Sequence, residues 1–220
     1  MTLEKLSGPA LGAEAIGEVD AVLLSHDQHA DNLDHSGKAF LAKAKRVLTT
    51  VAGAKRLGGH AEGLMPWATT ELSGKDGRSL TITATPARHG PAGIEPLSGD
   101  VIGFVLTSKD KSPPIYISGD TVWYDGVAEV ARRFKAGVVL PFAGAAQTRG
   151  PSISPWIPTT PLKPRAFPDA VIVPLHTDGW AHFRQNAKDL RASFDTLGFG
   201  SRLKILEPGV ATVIEPAHRS

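Results

Sequence analysis

Hydrophobic positions along the chain fall into short β-type runs separated by stretches of helical period. Residues 19–24 (VDAVLL) predict a first strand, residues 36–44 a helix, residues 47–51 a second strand, and residues 52–57 a short helix broken by Gly58 and Gly59. Residues 67–72 and 79–84, joined by the turn Gly74-Lys75-Asp76-Gly77, predict a hairpin. Two more strands are expected at 101–107 and 115–118, with the polar turn Lys109-Asp110-Lys111 between them. The period then lengthens: 122–134 predicts a helix, 137–141 and 170–175 buried strands, 183–197 a helix, and 202–206 and 210–214 two closing strands. Prolines at 151, 155, 158, 161, 164 and 168 forbid a regular helix, so residues 150–168 read as a Pro-rich surface loop. Hairpins mixed with strand-helix units predict a layered α/β (α+β) protein, and 220 residues with 41% hydrophobic content suit a single domain over 1–220.

Charge narrows the partners. Lys and Arg total 24 against 22 Asp and Glu, so a net +2 offers no field for nucleic acid or an anionic membrane, and a small-molecule substrate is the expected partner. No apolar run approaches a membrane span and residues 1–17 lack the pattern of a secretory leader, so a cytoplasmic protein is expected. Cysteine is absent, which excludes disulfides, thiolate ligands and a cysteine nucleophile. Any metal must be held by nitrogen and oxygen.

Candidate chemistry concentrates just past the first strand, in Ser25-His26-Asp27-Gln28-His29-Ala30-Asp31-Asn32-Leu33-Asp34. Loops at strand ends commonly present functional groups, although Asp, Asn and His also serve as turn and cap residues. Three further residues stand where an apolar strand stops: His89 in Ala87-Arg88-His89-Gly90, Asp120 in Ser118-Gly119-Asp120-Thr121, and His176 in Pro174-Leu175-His176-Thr177. Singly, each has an ordinary reading as a loop histidine, a helix cap or a core histidine. If the strands are neighbours, their ends converge on one rim and surround a point with nitrogen and oxygen donors.

This order of a His-rich loop, a histidine, Gly-Asp and a last histidine resembles the metallo-β-lactamase superfamily, and the wording is similar to its ascorbate-6-phosphate lactonase and phosphodiesterase-like branch. The resemblance implies a four-layer αββα sandwich with metal at the sheet edges, and hydrolysis of an ester, lactone or phosphodiester through a metal-bound hydroxide. It also implies one or two divalent ions, zinc or manganese, with His29, His89 and either His26 or Asp27 on one and Asp31, His176 and Asp120 completing or bridging a second. Asp31 would orient or deprotonate the water if one ion is bound.

Two departures from the family pattern matter. The usual His-x-His-x-Asp-His carries one extra residue here, so the first ligand is His26 in one register and Asp27 in the other. Asn32 stands where the last histidine belongs, and asparagine is a weak neutral donor, which leaves the second site poorer in ligands. The family's usual first strands are not predicted within residues 1–18, so an open sheet edge, and with it a homo-oligomer, is expected. A degenerate member that binds a metal or small ligand without turnover is the alternative. His60, Trp180 and His182 are candidates for a substrate pocket, Trp123 and Tyr124 read equally well as core or pocket, and His35 and His218 are expected at the surface.

Overall fold

The computed structural model describes residues 3–74, 77–144, 163–183 and 186–216. After a short helix, α1 (Ala13–Ile16), comes β1 (Val22–Leu23), then α2 (His35–Phe40), which ends in a 3-10 turn, Leu41–Lys43. Next are β2 (Val47–Thr50), α3 (Val51–Leu57) and β3 (Ala61–Leu64). These three strands form a parallel sheet in the order β1-β2-β3. Asp34 caps α2 by accepting from Gly37 N, and Thr50 caps α3 through Gly53 N, so each helix starts where a side-chain oxygen satisfies an otherwise orphan donor.

The second sheet comprises β4 (Thr69–Ser73), β5 (Ser79–Pro86), β6 (Ile102–Ser108), β7 (Ile115–Ile117), β8 (Val138–Leu140) and β9 (Val171–Ile172), in that order. The pairs β4-β5, β5-β6 and β6-β7 are antiparallel, while β7-β8 and β8-β9 are parallel. The helices α4 (Glu95–Ser98) and α5 (Asp125–Arg133) lie within this run, and α6 (Ala187–Thr196) follows it with a capping box built on Asn186 and Asp189.

Alternation along the strands sorts side chains into layers. Leu48 of the small sheet meets Ile82, Ala84, Ile102 and Phe104 of the large one between the sheets. On the far side of the large sheet, Val105, Tyr116 and Ile172 pack against Val127 and Val130 of α5 and Phe194 of α6. On the outer side of the small sheet, Val47 and Leu24 pack with Leu41 just past α2. The layers are therefore helix, sheet, sheet, helix, as expected, and among the described residues the small sheet holds three strands with β1 at its edge. No helix among those residues is long and apolar enough to cross a membrane.

The expected strands at 202–206 and 210–214 do not form. Leu203 makes one isolated bridge to Ile172, and residues 210–214 have no regular structure. Val210 and Val213 are exposed and only Ile214 packs against the core, so burial rewards little pairing there, and Pro208 supplies no backbone donor. Conversely β3 arises from a segment, AEGL, with little β character; it is held by its four-residue register with β2. Residues 150–162 of the Pro-rich stretch lie outside the described residues. At its end Pro164 sits in a 3-10 turn and, with Phe167, is buried, while Lys163, Arg165 and Pro168 are exposed.

Candidate metal centre

Strand ends bring the site together. Leu24 N donates to Leu48 O as the last rung past β1, and Ile102 N then donates to Ser25 O at 3.1 Å, tying the end of β1 to the start of β6 across the two sheets. Beyond β7, Gly119 adopts φ +61, and a Cβ there would lie 2.7 Å from Ile102 O and 2.8 Å from Ser25 Cβ. Only glycine fits that turn, which aims Asp120 at the His-rich loop. Arg88 N donates to Thr121 Oγ1 and Val122 N to Arg88 O, so the segment carrying His89 is laced to the segment carrying Asp120. Leu175 N donates to Pro141 O, extending the β8-β9 pairing up to His176, which takes a positive φ of 56 and stacks its ring on Phe142 at 5.3 Å.

The extra residue in the motif is absorbed by a bulged turn. His26 is 1% exposed, with Nδ1 3.0 Å from Ser25 Oγ and Nε2 3.2 Å from His29 Nδ1. Asn32 holds the turn by donating Nδ2–H to His26 O at 2.6 Å, while its Oδ1, the atom that could ligate, accepts from Ser25 Oγ at 3.5 Å. His26, His29 and His89 each offer a ligand atom within 4.8 Å of the others. Asp120 Oδ2 lies 3.2 Å from His89 Nε2 and 3.9 Å from both His26 Nε2 and His176 Nε2, so it stands between the triad and the last histidine. Asp31 Oδ2 lies 3.8 Å from His176 Nε2 and 2.8 Å from His182 Nε2.

Asp27 is not in this group. Both its oxygens are taken by Arg56 of α3, at 2.6 and 2.8 Å. His60 is also elsewhere: it precedes β3, at the end of the parallel sheet opposite His26, and its Nε2 lies 3.1 Å from Leu41 O. Trp180 borders the centre, its ring 6.0 Å from that of His182 and under the Lys5 ammonium. Tyr124 stacks under Arg88 and packs, with Trp123, against the core beneath α5. His35 is exposed, and His218 lies outside the described residues. The partnerships of Asp27 with Arg56 and of Asp31 with His182 span 29 and 151 residues, and no local spacing announces either.

Electrostatics suit a cation. Burial pushes the pKa of His26 down to about 4, and burial likewise lowers that of His29, so both rings present neutral lone pairs. Burial opposes charge on His89 and His176 too, but the carboxylates of Asp120 and Asp31 outweigh it and raise both. Burial works against ionised Asp120 and Asp31 as well, yet their histidine neighbours hold Asp120 at about 2 and Asp31 well below the usual carboxylate range. Asp31 Oδ1 is nevertheless buried with no hydrogen-bond partner among the described residues. Buried neutral imidazoles beside ionised carboxylates, one of them with an unsatisfied oxygen, are the donor set of a divalent metal site.

Known proteins resemble this chain in sequence and in fold. The family model described as "Beta-lactamase superfamily domain" matches residues 3–150. Among curated proteins, the chain is 27% identical over 198 residues to the UPF0173 protein YddR of Bacillus subtilis, covering 87% of this chain and 74% of that one. It is 25% identical over 217 residues to a UPF0173 metal-dependent hydrolase of Myxococcus xanthus, covering 92% and 71%. Among solved structures, an isothiocyanate hydrolase from Delia radicum gut bacteria superposes with a TM-score of 0.72 and 25% identity, covering 93% of this chain and 80% of that one.

Proposed function

The chain belongs to the beta-lactamase superfamily, and from that premise we propose that it is a metal-dependent hydrolase acting on a small ester, lactone or phosphodiester. The observation that carries the reading is the convergence of His26, His29 and His89 with Asp120, Asp31 and His176 at the ends of strands from both sheets. Zinc suits the imidazole-rich triad, and manganese the carboxylate-bearing side. When bound, such an ion lowers the pKa of water towards neutrality and polarises the carbonyl or phosphoryl oxygen under attack.

The chain's own residues supply the rest. His26, His29 and His89 are the residues to hold the ion, with Ser25 Oγ on His26 Nδ1 setting which ring nitrogen faces inward. Where a single ion is bound, Asp31, kept ionised by His176 and His182, would present Oδ1, an acceptor with no hydrogen-bond partner among the described residues, to orient a water and take its proton. Asp120 keeps negative charge between the two groups of histidines.

The likeness to an isothiocyanate hydrolase supports a second substrate class, since the central carbon of an isothiocyanate is an electrophile open to the same attack by water. The test is a panel of a phosphodiester, an aryl ester, a lactone and an isothiocyanate, assayed with the full chain before and after chelation and after return of zinc or manganese. Turnover of at least one substrate, lost on chelation and restored by the ion, is expected. Metal-loaded protein that turns over none of them would favour a binding protein without catalysis.

A further inference from the structure

His182 lies on the loop after His176, and the substrate-pocket role expected of it does not fit its surroundings. Its side chain is 4% exposed, and its Nε2 meets Asp31 Oδ2 at 2.8 Å. Its Nδ1 is buried without a hydrogen-bond partner among the described residues, as is Asp31 Oδ1. A buried imidazole whose hydrogen bond is to a carboxylate, itself carrying an unsatisfied oxygen, is a polar pair that burial penalises and a cation beside the carboxylate would compensate.

Around this carboxylate the described residues place His182 Nε2 at 2.8 Å and His176 Nε2 at 3.8 Å, with Asp120 Oδ2 3.9 Å from His176 Nε2. Nitrogen and oxygen ligands at roughly 2.0–2.2 Å from one tetrahedral ion are roughly 3.3–3.6 Å apart. The Asp31–His182 pair is closer than that and the other two pairs are farther, so binding requires these side chains to adjust. Asn32, at the family's usual position for an imidazole, offers only a neutral amide oxygen, which accepts from Ser25 Oγ at 3.5 Å, while its nitrogen donates to His26 O. We propose that His182 is a ligand of a second ion, held together with Asp31, His176 and Asp120, and supplies from the loop after β9 the imidazole that Asn32 does not.

The backbone around His182 is braced for such a role. Leu6 N donates to Gly179 O and Ala181 N to Glu4 O, so the loop is pinned between the N-terminal segment and the core. Lys5, in that same segment, also pairs with Asp34 at 2.5 Å, which ties the His182 loop to the end of the His-rich loop. The ring is thus delivered by a fixed backbone.

The proposal rests on the metal-dependent reading of the site, and the test separates the two. The full chain, freed of metal by chelation, is dialysed to equilibrium against zinc alone, and bound zinc per chain is measured for the wild type, His182→Gln and His182→Ala. Two ions in the wild type and one in each variant are expected. Glutamine keeps a hydrogen-bond donor for Asp31 but is a poor ligand, so two ions in His182→Gln would overturn the proposal and leave His182 as a positioning residue. One ion in all three proteins would overturn it as well, while leaving the first site intact. No zinc in the wild type would overturn the metal-dependent reading itself. Circular dichroism identifies a variant that fails to fold, in which case the other is read.

Discussion

Arg56 grips Asp27 with two hydrogen bonds, Nε to Oδ2 at 2.8 Å and Nη2 to Oδ1 at 2.6 Å, and so turns the one carboxylate inside the His26–His29 turn away from the metal centre. The pairing settles which side of the turn faces inward. With Asp27 held on α3, His26 and His29 both reach the cluster although they are three residues apart, a spacing that would face them oppositely on an extended strand.

His26→Ala should therefore lose the first ion, whereas Asp27→Ala should keep it and lose stability. The Asp27 side chain is 7% exposed and that of Arg56 43%, so the pair lies between surface and buried ion pairs and its loss should cost about 1–2 kcal/mol. Metal content and urea unfolding of the two variants check this. Equal metal loss in both would mean that Asp27 ligates after all.

His89 and His176 each end a strand segment and face Asp120, at 3.2 and 3.9 Å. Alanine at either position should lower bound metal per chain, and metal binding should raise the melting temperature of the wild type by mass action, about 2.7 kcal/mol when free metal is 100-fold above Kd. Unchanged metal content in both variants would contradict a shared site. A melting temperature indifferent to a strong chelator, in protein first shown to contain metal, would contradict the coupling to folding.

Protonation gives a prediction for the metal-free chain. Burial takes His26 from 6.5 to about 4, so between those values the unfolded state binds a proton that the folded state does not. Stability must fall as pH drops through that window, by about 1.4 kcal/mol per unit, and His29, also lowered by burial, acts in the same sense. His89 and His176 are raised, so their contribution is present in acid and is lost as pH climbs through their folded values. Urea unfolding of chelated protein at about pH 7 and about pH 4.5 should show a shallower acid loss in His26→Gln than in the wild type. An equally steep loss in both would show that His26 is not the buried neutral group.

Gly119→Ala should damage both fold and site. Its φ of +61 disfavours any side chain, and the added Cβ would press on Ile102 O and Ser25 Cβ, the junction of the two sheets. A loss of about 2 kcal/mol or more, with weakened metal binding through displaced Asp120, is expected from thermal melts and zinc titration. A variant as stable as the wild type would show that the turn can relax.

The helix, sheet, sheet, helix order was legible in the chain because it follows from local periodicity. Alternation in residues 79–84 and 101–107 marks β5 and β6, and His89, Asp120 and His176 are conspicuous because each closes an apolar run. Residues 210–214 have the same strand-like pattern but no ladder partner among the described residues, and they stay irregular although Ile214 touches the core, while AEGL at β3 becomes a strand because β2 offers it a register. The same limit applies at the site. Sequence named the ligand-type residues but left His26 and Asp27 open, because the choice depends on Arg56, carried on a helix 29 residues away. Nor could spacing connect Asp31 with His182 across 151 residues. Propensity and polarity are properties of neighbours along the chain, whereas which carboxylate is neutralised and which is left facing an ion depends on contacts that exist only once the two sheets have packed.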